Sequence, residues 1–207
     1  VSEPHFRPVF TRIGLVLLVL LLLGETTINF IDRQVVSVLA PTLRAEFHLS
    51  NAAAGLVSSV TLITSAAGGI GAGILSDRFG RKSLLMAMVL IYSLGSAGTA
   101  LSHSFAELVF WRAIVGLGLG GQWSAGATLV AETWPAALRQ RAISFMQSGW
   151  SIGYMLAAVV TAVVLPRWGW RVLFLTGLLP ALLTIWIRTS VEEPAIWREQ
   201  ARTIRPS

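Results

Sequence analysis

The sequence predicts an all-α membrane protein of six transmembrane helices, and three observations carry that expectation. Of the 207 residues, 54% are hydrophobic and only 13% are charged, with a mean hydropathy of +0.69. A soluble domain needs more charge than this to cover its surface. The few charges are also placed so that residues 47–76, 83–106, 113–131 and 142–166 contain no Asp, Glu, Lys or Arg. Crossing a hydrocarbon core of ~30 Å takes ~20 helical residues, so each run suffices for one span. Finally, the basic residues between the runs gather on alternate connections, as orientation by positive charge requires.

The six predicted spans are 13–40, 52–75, 83–101, 107–131, 142–165 and 171–188. The apolar run 13–23 has only the length of a signal-peptide core. That reading fails because apolar sequence resumes through Ile28, Phe30, Ile31 and 35–40 with no small-residue cleavage pattern between. The last run, 172–187, becomes a full span once Trp170 and Arg188 reach the interfaces. With six spans, one side receives Arg7 and Arg12, then Arg78, Arg81 and Lys82, then Arg139 and Arg141, then Arg188, Arg198, Arg202 and Arg205. The other side receives Arg44, Arg167 and Arg171. Both termini are therefore expected in the cytoplasm. Trp168 and Trp170 suit the outer interfacial belt. The net charge of +6 reports this bias, and a nucleic-acid partner is not expected.

Small residues crowd the second span (Gly68, Gly69, Gly71, Gly73), the fourth (Gly116, Gly118, Gly120, Gly121) and the fifth (Gly149, Gly153). In lipid, small residues let helix backbones approach closely. As phosphate loops these runs fail, because no strand precedes them and no Lys-Ser/Thr follows. Polar residues concentrate in spans one and four, small residues in two and five, and spans three and six are plain apolar. That order fits a three-plus-three inverted repeat in which the first helix of each repeat lines the pathway and the third faces lipid.

Ionisable residues inside a span are functional candidates by default; here they are Glu25, Asp32, Arg33 and Arg112. Glu25, Asn29 and Asp32 lie at i, i+4 and i+7 and share a helix face. Asp32 and Arg33 are ~100° apart around the axis, following from 3.6 residues per turn. A carboxyl at mid-span, like Glu25, is either paired or protonated at neutral pH, and either state suits proton coupling. A solvated Asp32–Arg33 pair near the outer interface is the alternative for those two, and Arg112 lies either at the membrane edge or deeper, facing a cavity. Gln147 and Tyr154 on the fifth span line a pathway or pack helices.

The loop after the second span reads Gly73-Ile-Leu-Ser-Asp77-Arg78-Phe79-Gly80-Arg81-Lys82. It resembles the G-x-x-x-D-R-x-G-R-K/R signature of the major facilitator superfamily. Arg112-x-x-x-Gly116-x-Gly118-x-Gly120 is similar to that family's fourth-helix motif. Glu132-x-x-Pro135-x-x-x-Arg139 and Val191-Glu192-Glu193-Pro194 resemble two further motifs, in the family's order. The resemblance covers nearly the whole chain and implies the N-terminal six-helix half of the fold. Residues 1–12 are then a cytoplasmic tail, 13–188 the transmembrane domain and 189–207 the start of a central linker. A bacterial inner membrane is the implied location. The chain begins at Val and stops in a basic stretch, so a C-terminal six-helix half is expected as its partner.

The resemblance further implies a gating role for Gly73, Asp77, Arg78, Gly80, Arg81 and Lys82. In the family the motif acid latches against a helix end of the other half, where a helix N-terminus stabilises an acid by roughly 0.3–1 kcal/mol. Apart from the family, Arg81 and Lys82 also suit anchoring beside anionic lipid. Ile28-Asn29-Phe30-Ile31-Asp32-Arg33-Gln34 with Ser37 and Ala40-Pro41 is similar to the first helix of anion:cation symporters of hexuronates and organic anions. By that likeness Asp32 carries a proton and Arg33 recognises a substrate carboxylate, which a planar guanidinium binds bidentately. Gly120-Gly121-Gln122-Trp123 through Trp134-Pro135, then Met146-Gln147-Ser148-Gly149-Trp150 and Gly153-Tyr154, resemble the sialate and lactate type of metabolite:proton symporters. Gln122 stands where that type has Glu, so proton coupling falls to Glu25 or Asp32.

The function so implied is proton-coupled symport of a small organic anion by alternating access, with Arg33, Asn29, Gln122, Gln147 and Tyr154 toward the substrate. A sugar or drug carrier of the same superfamily, or a self-associating half-transporter, is the alternative. An intramembrane enzyme is not expected. Trp123-Ser124-Ala125-Gly126 loosely resembles a rhomboid serine context, but His5, His48 and His103 lie in the tail or at span ends, away from any base role. There is no cysteine and no HExxH, so no catalytic, metal or cofactor site is expected. A channel of the aquaporin type would need an Asn-Pro-Ala pair, which is lacking.

Overall fold

A computed structural model describes residues 12–190; the 1–11 tail and the acidic-Pro motif at 191–194 lie outside the described residues. Seven α-helices follow in order: α1 Arg12–Phe47, α2 Asn51–Phe79, α3 Arg81–Ala100, α4 Phe105–Thr133, α5 Ala136–Gln147, α6 Gly149–Leu175 and, after a 3-10 turn Thr176–Leu178, α7 Leu179–Ser190. Among the described residues, five helical stretches are long and apolar enough to cross a membrane. The fifth is continuous over Ala136–Leu182, where spans five and six were expected separately.

The join lies at Gly169, whose φ of 76° and ψ of 175° break the helix inside that stretch. Only glycine adopts such a conformation readily. Contacts on either side show that the chain reverses there. Before the break, the backbone of α6 follows α1 upward, with Gly149 against Leu23 and Gly153 against Thr27. Trp170 then donates through Nε1 to Glu46, near the end of α1. Beyond it the chain returns, bringing Gly177 beside Asp32. The Arg188 carbonyl finally accepts from Lys82 Nζ at 2.8 Å, at the start of α3. The long fifth stretch is therefore two crossings, and the bundle has the six expected.

Helix ends follow local chemistry. The Ser50 hydroxyl caps α2 by accepting from Ala53 N at 3.2 Å. Ser104 caps α4 by accepting from Glu107 N at 3.3 Å, while Glu107 reaches back to accept from His103 N at 2.8 Å, a variant of the capping box. Gly80, at φ 98°, separates α2 from α3. The first helix runs seven residues past the expected end of the span at residue 40 and through Pro41, because proline removes one hydrogen bond without ending a helix that is otherwise packed. It closes instead at His48, in a left-handed conformation (φ 51°), where Leu49 N donates to Arg44 O at 3.0 Å.

The glycine-rich spans pack as the sequence predicts. A Cβ placed on Gly120 would lie 1.8 Å from Ser65 O, and one on Gly68 would lie 2.1 Å from Leu117 O. Thus α2 and α4 touch backbone to backbone. The third helix departs from expectation. It is expected to face lipid, yet more than half of its apolar window is buried, against under a fifth for α2. Gly95 and Gly98 admit Val115 and Trp111 of α4, and its polar residues turn inward.

Two apolar cores result. One gathers Leu18, Leu22, Leu85, Leu119, Leu129 and Met146; the other gathers Val35, Leu39, Leu108, Trp170 and Phe174 nearer the far end of α1. At the depth between them lie buried polar residues: Glu25, Asp32, Ser93, Ser96, Thr99, Arg112 and Gln122. That layer borders a cavity that Gln122 also lines.

Candidate functional site: a basic cavity and a buried polar layer

A cavity of about 570 Å³ opens between α1, α2, α4 and α6. Thr26, Asn29, Phe30 and Arg33 of α1 line one wall; Ser65 of α2, with Gln122 and Trp123 of α4, line the others. Phe30 stacks on Trp150 with ring centroids 5.7 Å apart and planes 14° from parallel. Asn29 Nδ2 donates to Gln122 Oε1 at 2.6 Å, joining α1 to α4. Arg33 Nη2 reaches Ser65 Oγ at 3.5 Å, and its Nε has no hydrogen-bond partner. The cavity thus offers one guanidinium with spare donors, an amide pair and aromatic walls.

Asp32, one residue away, points elsewhere. Its Oδ2 accepts from Arg112 Nη1 at 3.0 Å and its Oδ1 from Ser96 Oγ at 2.5 Å. Arg112 is wholly buried, its Nε donating to Thr99 Oγ1 at 3.1 Å and its guanidinium lying 4.7 Å from the centre of the Phe174 ring. A solvated Asp32–Arg33 pair is ruled out, and Arg112 lies inside the bundle rather than on its surface. The ~100° between neighbours on a helix sends Asp32 into the α3–α4 seam and Arg33 into the cavity. The face shared by Glu25, Asn29 and Asp32 is turned toward α3 and α4, and only Asn29 reaches the cavity. Glu25 is fully buried, with Gln122 beside it and neither carboxylate oxygen in a hydrogen bond of ordinary geometry.

Of the remaining sequence candidates, Tyr154 is 60% exposed and lines a shallow groove with Phe30 and Trp150. Gln147 is exposed and does not join the cavity. Gly116 and Gly120 serve the α2–α4 contact. At the loop between α2 and α3, Arg81 is nearly saturated. Its Nε donates to both Glu132 oxygens (3.1 and 2.9 Å), its Nη1 to Ser76 O at 2.9 Å, and its Nη2 to Glu132 Oε1 at 2.8 Å. Asp77 also pairs with Nη2 at 2.8 Å while remaining 73% exposed. Lys82 holds the Arg188 carbonyl, Arg78 lies over Phe79, and Gly73 has only Ser124 Oγ near its Cβ position.

Sequence reasoning missed Ser96, Thr99 and Tyr92 of α3, and the aromatic walls Phe30, Trp123 and Trp150. A signal existed for the first group. Tyr92, Ser96 and Thr99 recur at i, i+4 and i+7, a polar stripe on one face of a span that reads as plain apolar on average.

Residues 22–205 match the family model of the Major Facilitator Superfamily. The chain belongs to the Major Facilitator Superfamily. It is 36% identical over 168 residues to the cis,cis-muconate transport protein of Acinetobacter baylyi, covering 81% of this chain and 41% of that protein. It is 35% identical over 157 residues to the sialic acid transporter NanX of Escherichia coli, covering 76% and 39%. The chain spans about two fifths of the length of these curated relatives. Among solved structures, the inward open conformation of the xylose transporter XylE from E. coli superposes with a TM-score of 0.80 at 24% identity, covering 92% of this chain and 52% of that one. At that identity the likeness speaks for the fold. Relatives named for transport answer the intramembrane-enzyme alternative, and an integral, multi-pass membrane protein follows from the family and the helices together.

Proposed function

We propose that this chain is the N-terminal half of a proton-coupled symporter of small organic anions. Residues 13–188 supply one wall of a central cavity, 189–207 begin the linker, and a C-terminal six-helix half supplies the other wall. The observation that carries this reading is Arg33, a guanidinium with an unpartnered Nε, half-buried in an otherwise uncharged cavity. A lone cation in a low-dielectric cleft attracts an anion, and the planar fork favours a carboxylate. The Phe30–Trp150 stack and Trp123 offer flat apolar faces for a carbon skeleton. Relatives named for muconate and sialic acid, both organic acids, support the same class.

Coupling is assigned to Asp32. Its carboxylate is held by Arg112 Nη1 and Ser96 Oγ, so a change at that pair is tied to rearrangement of α1, α3 and α4. Glu25, between α1 and α4, is the second carboxyl available to a proton. At the cytoplasmic end, Asp77 is exposed in the position from which it would latch onto the other half. Both termini face the cytoplasm of a bacterial inner membrane, with Arg78, Arg139 and Arg141 toward anionic lipid. A neutral polyol is the alternative substrate, favoured by the Asn29–Gln122 amide pair.

The test uses the full-length polypeptide that contains this chain, in proteoliposomes at zero membrane potential. Adding an organic acid outside is expected to alkalinise the medium, and Asp32→Asn to abolish that signal while substrate counterflow persists. Counterflow of a sugar but of no organic acid would instead select the polyol reading.

A further inference from the structure

Among the described residues, two glycines have positive φ, and they sit at opposite ends of the bundle in matching surroundings. Gly80 (φ 98°, ψ 149°) and Gly169 (φ 76°, ψ 175°) each follow an arginine and an aromatic residue, Arg78-Phe79 and Arg167-Trp168. Just beyond each glycine, an arginine pairs with the penultimate residue of a helix from the other three-span repeat. Arg81 holds Glu132 of α4, and Arg171 Nη1 donates to Glu46 of α1 at 2.8 Å. Each arginine also reaches a carbonyl at a nearby helix end: Arg81 Nη1 that of Ser76 at 2.9 Å, and Arg171 Nη2 that of Ser102 at 3.3 Å. Helix α3 starts at Arg81 and ends two residues before Ser102, so the clusters are about 30 Å apart at 1.5 Å per helical residue. At the second cluster Trp170 Nε1 also donates to Glu46, and the Arg171 guanidinium lies 4.3 Å from the Trp170 ring. Pro166 stands where the first cluster has Asp77, so the clasp is repeated and the latching acid is not.

From Glu46, contacts run without a gap to the buried pair. Trp170 is buried and packs edge to face on Phe174, with 5.8 Å between ring centres. The Phe174 ring in turn lies 4.7 Å from the Arg112 guanidinium. Its carbonyl is 2.8 Å from the Ser96 hydroxyl, which also holds Asp32 Oδ1 at 2.5 Å. Two aromatic side chains thus join a partly exposed acid at the end of α1 to the Asp32–Arg112 pair. Packed chains of this kind carry coupling between separated sites. We propose that Glu46, Trp170 and Arg171 form a second clasp, the inverted counterpart of Arg81 and Glu132, which positions the Asp32–Arg112 pair from the far end of α1. All three are positioning residues, and none lines the substrate cavity. The effect on coupling rests on the reading of Asp32 as the coupling carboxyl; the link from clasp to pair does not.

A double-variant cycle in the full-length protein tests the link without any substrate. Changes at sites that share no partner shift unfolding additively, whereas changes at linked sites do not. Glu46→Ala opens the clasp, and Ser96→Ala removes the hydroxyl that holds Asp32. Their shifts of the unfolding midpoint in detergent are expected to be non-additive, and to become additive once Trp170→Leu has removed the ring between them. If Glu46→Ala does not fold, Arg171→Lys takes its place, keeping the charge and losing the fork. In proteoliposomes the same clasp variant is expected to lose uphill uptake roughly tenfold, an ordinary size for coupling between sites, while counterflow persists. Additive shifts, or non-additivity that survives Trp170→Leu, would reduce the cluster to a local brace and overturn the proposal. Uphill uptake at the parent's level in the clasp variant would overturn it as well. Non-additive shifts in a parent that shows no counterflow of any organic acid would instead sink the substrate reading and leave the link standing.

Discussion

Two arginines of this bundle, Arg81 and Arg112, anchor ion-pair networks that differ in completeness. Arg81, at the α2–α3 turn, spends its donors on Glu132, Asp77 and the Ser76 carbonyl. Arg112, in the α3–α4 seam, is more deeply buried and yet keeps Nη2 unspent. A saturated network has one arrangement and acts as a clasp between α3 and the end of α4. An incomplete network in a low-dielectric layer is poised for a further ligand or a moved proton. The saturated network at the α2–α3 turn is thus distinct from the incomplete one beside the cavity.

The comparison breaks first at Arg112. Arg112→Met leaves Asp32 buried without its cation, and breaking a buried pair from one side costs about 3–5 kcal/mol. Replacing both partners, Asp32→Leu with Arg112→Met, is expected to restore most of that stability in detergent unfolding while abolishing proton-coupled uptake. A single variant as stable as the double would show that the pair carries no structural weight. Next comes Arg81→Lys, which loses the forked contact to Glu132; at about 1.5–3 kcal/mol for hydrogen bonds to charged groups, it lowers the unfolding midpoint without changing substrate affinity. Altered affinity there would blur the division between clasp and switch.

The α2–α4 seam joins the two regions. Gly120→Ala forces a methyl against Ser65 O and is expected to cost about 1–3 kcal/mol by overpacking, whereas Gly71→Ala, with open space at its Cβ position, stays within ±0.5 kcal/mol as an ordinary surface change does. Equal effects of the two would refute the backbone-to-backbone contact. The smallest effect is at Asp77, where an exposed pair contributes about 0–1 kcal/mol. Asp77→Asn leaves stability almost unchanged but shifts cysteine accessibility of the full-length protein toward inward-facing, if the acid latches the other half.

Much of this was legible in the sequence because the bilayer imposes a coarse, strong signal. Charge-free runs set the spans, and the glycines of spans two and four set their contact. The turn at Gly80 and the family motifs are also local in the chain. What escaped reading was pairing between helices. Nothing in the order of residues says that Asp32 chooses Arg112, eighty positions away, over its neighbour Arg33. The helical rotation between adjacent residues warned that Asp32 and Arg33 diverge, but not toward what. Likewise, an average over α3 hides the stripe of Tyr92, Ser96 and Thr99, since three polar groups on one face barely change the hydropathy of a span. The reversal at Gly169, by contrast, was legible as the connection between the expected spans 142–165 and 171–188, although helical structure runs on both sides of it.

The central claim is that Arg33 holds the substrate carboxylate while Asp32, turned away behind it, carries the coupling. Counterflow of a labelled organic acid, measured in proteoliposomes of the full-length protein for Arg33→Ala and Asp32→Asn, tests this most directly. The account predicts that Arg33→Ala loses counterflow at least a hundredfold, and that Asp32→Asn keeps counterflow but loses uphill uptake. Full counterflow in Arg33→Ala, or uphill uptake intact in Asp32→Asn, would contradict it.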